Sequence, residues 1–250
     1  MQTPPPPPKP AAPIISPSRR VALIIANSKY QSQPPLRNPA NDAILLASAL
    51  TTSGFQSVTV KTDLTREQML SVIRDFAERA DTADWAAVYY SGHGVEYNGI
   101  NYMVPVDARL EVDRDIDLES IDVGKITGAI EGAKKLRLLI LDSCRNNPFV
   151  NQMRRTSASR SIGRGLAQME PEAGMLVVYA AKHGQQALDG EGTNSPFAEA
   201  LAKRIKTPNI DVRRIFDLVR DDVMAATNRK QQPFSYGSLS GHEDFYFVQR

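Results

Sequence analysis

An α/β domain wound around a mainly parallel sheet is the fold this 250-residue sequence predicts, and three observations predict it. Four short apolar runs, Val21 to Ala26, Trp85 to Tyr90, Leu136 to Leu141 and Met175 to Ala180, are continuous rather than alternating, with Arg137 near the start of the third as their one polar residue; that is the pattern of strands buried on both faces. Stretches with helical spacing of apolar residues separate them, and strands that alternate with helices form parallel sheets covered on both sides. The runs also stop abruptly at polar or glycine-rich residues, the strand ends where open α/β sheets gather their chemistry.

Taken in order, residues 1–18 contain Pro4 to Pro8, Pro10, Pro13 and Pro17. Such a segment favours extended polyproline geometry and has little to bury, so it is expected to be a tether preceding a single domain over 19–250. After the first strand, Asn38-Pro39 is a helix start, a cap followed by proline at the first helical position. This helix runs to about Thr52, and Gly54 suits its stop. Leu45, Leu46, Ala49 and Leu50 form its apolar stripe. Asp42 continues the stripe backwards, either as a core-facing carboxylate or as a first-turn acid favoured by the helix dipole.

Ser57 to Lys61 is a short alternating strand. Thr65 with Gln68 is a capping box for a helix to about Arg79, with Leu70, Ile73, Phe76 and Ala77 on its inner face. Glu96 to Val106 is a hairpin or flap turning at Asn98-Gly99. The acidic stretch 107–120 is expected to loop over the surface, and a helix spans about Asp122 to Gly132. Residues 145–174 are expected to be loop, carrying Arg154, Arg155, Arg160 and Arg164. Helices follow from Ser195-Pro196 to about Lys206 and from Asp211 to Ala226, the latter with Val212, Ile215, Phe216, Val219 and Val223 on one face. Asp244 to Val248 is expected to be the last strand. There are no internal repeats.

Composition bounds the function. The apolar share of 42% and charged share of 23% are ordinary for a globular protein. A net charge of +2 without a dominant basic stripe argues against nucleic acid as partner. The single cysteine excludes an internal disulfide framework and fits a reducing compartment. No apolar run is long enough to span a bilayer, and the N-terminus lacks the apolar core of a signal peptide. The cytoplasm is the favoured compartment, with a leader on a longer chain as the alternative. Neither a cofactor nor a metal is expected: the acidic run Asp113 to Glu119 lacks the spacing and the glycine of a calcium loop.

Chemistry concentrates at two strand exits. Leu136 to Leu141 ends in Asp142-Ser143-Cys144-Arg145-Asn146, which places the only cysteine beside a carboxylate at the carboxyl end of a core strand. A free cysteine is usually a small buried hydrophobe, so this position by itself leaves reaction and packing both open. Trp85 to Tyr90 ends in Ser91-Gly92-His93-Gly94. Glycines on both sides of a histidine allow tight turns and close approach, and in a parallel sheet His93 shares the edge with Cys144. A third exit, after Met175 to Ala180, carries His183, Gly184 and Asp189.

His93 lies 51 positions before Cys144 (144 − 93), and in caspases the histidine lies about 50 residues upstream of the catalytic cysteine. The caspase pentapeptide around the cysteine is absent. The sequence nonetheless resembles the caspase-like clan CD cysteine peptidases, and within them the paracaspases and their bacterial orthocaspase relatives. The resemblance is carried by Arg20 to Asn27, Asn38 to Ala43, Tyr89 to Gly94, Tyr102 to Ala108, Leu141 to Arg145 and Tyr179 to Ala181, and it covers about residues 19–248. The histidine motif is similar to that of metacaspases too, whereas Cys-Arg-Asn and Val-Pro-Val-Asp are closer to paracaspases.

This resemblance implies a three-layer sandwich on a sheet of about six strands and a cysteine endopeptidase. Cys144 would be the nucleophile, His93 its acid–base partner, and the backbone N–H groups of Gly94 and Cys144 the oxyanion hole. It requires no third triad member. Aligned by motif, the substrate pocket of the arginine- and lysine-specific relatives falls on Asp42, Asp142 and Asp189, the last standing where paracaspases have a glutamate. Cleavage after Arg, with Lys weaker, follows, and so does a raised pKa for at least one of the clustered carboxylates.

The implied partners are proteins or peptides with a basic residue before the cut. The arginine-bearing loop is the implied place of self-cleavage, near Arg154 or Arg155. A homodimer is the paracaspase habit and a monomer the metacaspase one. A catalytically weak scaffold or interaction module is the competing reading. A flavodoxin-like binding domain ranks last, because Asn27-Ser28-Lys29-Tyr30 is no glycine-rich phosphate loop.

Overall fold

The computed structural model describes residues 18–143, 153–154, 162–163, 166–182, 185, 187–190 and 192–250. The proline-rich segment 1–17, Cys144, Arg155, Arg160, Arg164, His183 and Gly184 lie outside the described residues.

In chain order the elements are β1 (Arg20–Ala26), α1 (Pro39–Thr52), β2 (Ser57–Thr62), α2 (Arg66–Ala80), β3 (Trp85–Gly92), β4 (Gly94–Tyr97), β5 (Ile100–Met103) and α3 (Asp115–Glu119). They continue with β6 (Ile121–Asp122), α4 (Gly124–Ile130), β7 (Leu136–Ser143), β8 (Ile162–Gly163), β9 (Met175–Tyr179), α5 (Pro196–Ile205), α6 (Val212–Ala226) and β10 (Phe234–Gly237). The central six-stranded sheet has the order β10-β9-β7-β3-β1-β2. All its pairs are parallel except β9 with β10. The expected mainly parallel sheet of about six strands, with helices on both faces, is therefore the observed one.

The unbroken apolar runs follow from this layering. Ala22, Ile24 and Ala26 of β1 face the layer that holds Leu46, Leu201 and Phe216 of α1, α5 and α6. Val21, Leu23 and Ile25 face the opposite layer, with Ile73 and Phe76 of α2 and Ile126 of α4. With successive side chains pointing to opposite faces, every residue of such a strand meets apolar partners. From β1 the chain steps to one side for β2 and to the other for β3, so the strand order reverses between β1 and β3. At such a point the loops leaving the two strands part and open a crevice at their carboxyl ends.

A second sheet, β6-β5-β4-β8, stands at that end. Its β4–β5 hairpin turns at Asn98 (φ 51°) and Gly99 (φ 82°), the positive-φ pair that a two-residue hairpin needs. The Thr65 capping box forms in both directions: Thr65 Oγ1 accepts from Gln68 N at 3.4 Å, and Gln68 Oε1 accepts from Thr65 N at 3.0 Å.

Four expectations require correction. Asp244 to Val248 is not a strand. It is an extended strap whose alternation comes from Phe245 and Phe247 inserting into the core beside Trp85 (ring centroids 6.0 and 5.9 Å). The last strand is Phe234–Gly237, at the sheet edge and half exposed, with no run of buried residues to announce it. Residues 107–120 are not all loop: they include α3, anchored by the fully buried Ile116. The helix expected from Asp122 starts at Gly124, because Asp122 belongs to β6 and its Oδ1 accepts from Gly124 N at 2.7 Å. Asn38, finally, makes no side-chain cap for α1.

Candidate active site

His93 occupies the one-residue break between β3 and β4, on the loop side of the strand-order reversal. The glycines flanking it are there for lack of space. A Cβ on Gly92 would lie 2.7 Å from the hydroxyl oxygens of Tyr30 and Tyr90, and one on Gly94 would lie 2.9 Å from Ser143 Oγ. The backbone is pinned as tightly: His93 N donates to Tyr30 Oη at 2.7 Å, and the His93 carbonyl accepts from Tyr90 Oη at 2.6 Å and from Val104 N at 3.0 Å.

The His93 imidazole is buried (3% exposed) and tilted against the Tyr30 ring, with centroids 4.4 Å apart. Its Nε2 lies 2.8 Å from the carbonyl oxygen of Pro34, in the loop leaving β1. A carbonyl can only accept, so Nε2 carries the proton, and in the neutral ring Nδ1 is the basic nitrogen. Burial pushes the His93 pKa below the usual histidine value, more than the Pro34 carbonyl and the Asp189 charge push it up. Neutral imidazole is thus the resting form at neutral pH.

The expected nucleophile, Cys144, lies outside the described residues. Its neighbour Ser143 ends β7 and pairs with Gly92 across the β3–β7 register, which also pairs Ser91 with Asp142. Arg154 is exposed, and its backbone is tied to Glu111 and Asp113, whereas Arg155 is not described.

The three carboxylates meet. Asp42, Asp142 and Asp189 line one small cleft together with Leu36, Pro39, Ser91, Gly92 and Ser195. Asp42 and Asp142 are nearly fully buried, which decides for the core-facing reading of Asp42. Asp42 Oδ1 accepts from Asn194 Nδ2 at 2.8 Å and from Ser195 N at 3.0 Å. Asp142 Oδ2 accepts from Tyr89 Oη at 2.7 Å and from Ser195 Oγ at 3.2 Å. Asp189 bonds to the entrance of α1: its two oxygens accept from Arg37 N at 2.9 Å and Asn38 N at 3.3 Å. Anionic groups suit that position, where the helix leaves N–H groups unpaired. The Asn38 side chain donates to the Asp189 carbonyl and, at 3.3 Å, to that of Gly192. It holds the loop that delivers Asp189 instead of capping its own helix.

Desolvation dominates the electrostatics of this cleft. It raises Asp142 to about 7, with further upward pushes from Asp42 and Asp189, against downward ones from the Tyr89 and Ser195 hydrogen bonds. Asp42 is raised as well, again first by burial. Sequence reasoning missed Pro34, Tyr30, Tyr89, Asn194 and Ser195. Pro34 acts through a backbone atom, which no side-chain pattern reveals. Ser195 was visible only as a helix cap.

A match to the Caspase domain family model (Peptidase_C14) extends over residues 19–242. The chain belongs to the caspase-domain family. It is a caspase-like clan CD protein related to the paracaspases, and thus a member of a family of cysteine peptidases. Over 89 residues it is 37% identical to mucosa-associated lymphoid tissue lymphoma translocation protein 1 of Homo sapiens, and 37% identical over 89 residues to the Mus musculus homologue. Each match takes in 36% of this chain and 11% of the relative, so the chain spans a small part of those proteins. Caspase-1 from Spodoptera frugiperda superposes with a TM-score of 0.68 over 93% of both chains at 17% identity, which establishes the shared fold. Among the described residues no helix of this caspase-domain chain is long and apolar enough to cross a membrane.

Proposed function

We propose that this caspase-domain chain is a cysteine endopeptidase that cleaves protein or peptide substrates after Arg, and after Lys more weakly. The observation carrying the specificity is the convergence of Asp42, Asp142 and Asp189 on one cleft beside Gly92. An arginine side chain is planar, always charged and able to pair with carboxylates through several donors at once. A cation entering the cleft also offsets the burial and the mutual repulsion that raise Asp42 and Asp142 above the ordinary carboxylate range.

The reaction uses the edge above this cleft. Cys144 follows Ser143 by one peptide unit, about 3.8 Å between Cα atoms, and Ser143 is paired with Gly92, the residue before His93. His93 Nδ1 takes the thiol proton, and the thiolate attacks the carbonyl carbon of the scissile bond. The imidazolium then protonates the leaving amine, and water hydrolyses the acyl-enzyme. The Nε2–H bond to the Pro34 carbonyl keeps the ring in the required tautomer throughout. The backbone N–H groups of Gly94 and Cys144 hold the oxyanion, and losing one such donor costs about 2.7–4 kcal/mol.

Fluorogenic peptides differing only in the residue before the cut, assayed with and without calcium, test the proposal. Arg peptides are expected to be cleaved fastest and Lys peptides more slowly. Cleavage after Asp but not after Arg overturns the specificity. Labelling at Cys144 by an arginyl acyloxymethyl ketone separates a peptidase from a catalytically weak scaffold, which would stay unlabelled. Self-cleavage near Arg154 or Arg155 is read as two fragments by intact mass after long incubation. Those fragments should be absent from the Cys144→Ala variant.

A further inference from the structure

Ser195 touches both buried carboxylates of the cleft although it lies in neither of their elements. It is the N-cap of α5, where its hydroxyl oxygen accepts from Ala198 N at 3.1 Å. The same hydroxyl donates to Asp142 Oδ2 at 3.2 Å, and the Ser195 backbone N–H donates to Asp42 Oδ1 at 3.0 Å. A hydroxyl has one proton and two lone pairs, so the capping bond and the Asp142 bond form together. A cap ordinarily serves its own helix; this one also links α1 and β7, the elements that supply Asp42 and Asp142.

Building on the arginine-pocket reading above, we propose that Ser195 is a positioning residue for substrate specificity. It holds Asp42 Oδ1 and Asp142 Oδ2 so that the second oxygen of each carboxylate is presented to the guanidinium as one matched pair. The groups that face Asp142 are Tyr89 of β3, Asp42 of α1, Asp189 of the loop after β9 and Ser195 itself. The two hydroxyls favour its ionised form, and the two acids oppose it.

The test compares the full chain with its Ser195→Ala and Ser195→Thr variants on matched Arg and Lys peptides, measuring kcat and KM between about pH 5 and 9. In Ser195→Ala, KM for Arg peptides is expected to rise about tenfold or more, the weight of a hydrogen bond to a charged group. The acid limb of kcat/KM should move to higher pH, because Asp142 loses a donor that favours its charge. Ser195→Thr keeps the hydroxyl and restores both. A lowered melting temperature with the Arg KM and the acid limb unmoved would make Ser195 a helix cap only and overturn the inference. A parent chain that shows no preference for Arg overturns the pocket reading, and this inference with it. A parent that prefers Arg, alongside a Ser195→Ala variant with an unchanged profile, overturns this inference alone.

Discussion

The carboxyl edge of the sheet carries two buried polar clusters, and burial does opposite things for them. Around His93 the direct partners are neutral, namely the Pro34 carbonyl, the Tyr30 ring, the Tyr90 hydroxyl and close-fitting glycines, and the charge of Asp189 acts on the ring only as the smallest of its influences. Desolvation there lowers the pKa and leaves a neutral base, the state in which a histidine can accept a proton. Around Asp142 the neighbours include two further carboxylates, and desolvation raises the pKa to about 7. That cluster is left wanting a cation. The same physical cause readies one site for proton transfer and the other for a basic side chain. Variants at the first should therefore act on turnover with little selectivity among peptides, and variants at the second on the choice of peptide.

The sharpest break comes from His93→Ala. With the proposed base and acid removed, kcat is expected to fall by roughly 10²–10⁴ for Arg and Lys peptides alike. Stopped assays with matched substrates measure it. A loss confined to Arg peptides would mean that the two clusters are not separate in function. Next comes Gly92→Ala. The added Cβ collides with the Tyr30 and Tyr90 hydroxyl ends, and Tyr30 also holds the His93 backbone and ring. Displacement of the imidazole by about 1 Å costs on the order of 10²-fold in kcat, and because Gly92 also lines the carboxylate cleft, a smaller rise in KM accompanies it. Circular dichroism of the purified variant establishes that the fold is retained.

On the other cluster, Asp142→Asn keeps a similar shape and an acceptor for Tyr89 while deleting the charge. The expected outcome is about a tenfold to hundredfold loss in kcat/KM for Arg peptides, the weight of a charged hydrogen-bonded pair. The change should appear mainly in KM, and Asp142→Ala should lose at least as much without unfolding. Normal Arg cleavage by either variant would show that the pocket has been misassigned.

What the sequence discloses also differs between the clusters. Gly92-His93-Gly94 is legible because steric need left its mark: each glycine stands where a Cβ would strike a hydroxyl. Asp42 is legible because it extends an apolar stripe backwards at helical spacing. The supports are not legible. The Pro34 carbonyl is a backbone atom that any residue could present. Asn38 sits before a proline-led helix, where its residue type signals a cap, yet tertiary contact with the carbonyls of Asp189 and Gly192 takes its side chain elsewhere.

The sheet divides in the same way. β1, β3, β7 and β9 are buried on two faces and announce themselves by near-continuous apolar runs, that of β7 unbroken from Leu138 to Leu141. Edge strand β10 has no such run, and Asp244 to Val248 imitates a strand because alternate side chains enter the core. Local pattern reports burial, and it reports pairing only where the two coincide.

The subtlest distinction between the clusters lies in stability. Asp142 titrates at about 7 in the folded chain and at about 3.9 when unfolded. Below about pH 4 it is protonated in both states, and there is no ionisation-linked penalty. As pH rises from about 4 to 7, the unfolded chain releases this proton while the folded state still holds it, so the contribution of Asp142 to stability is progressively lost until both states are ionised above 7. Asp142→Asn never ionises and escapes this penalty. The melting temperature of the variant should therefore gain on that of the parent between pH 4 and 8, by a few degrees, and level off above. A gap that stays constant over this range would mean that Asp142 titrates like a solvated acid, and the carboxylate cluster would then lack the unmet charge that distinguishes it from the histidine beside it.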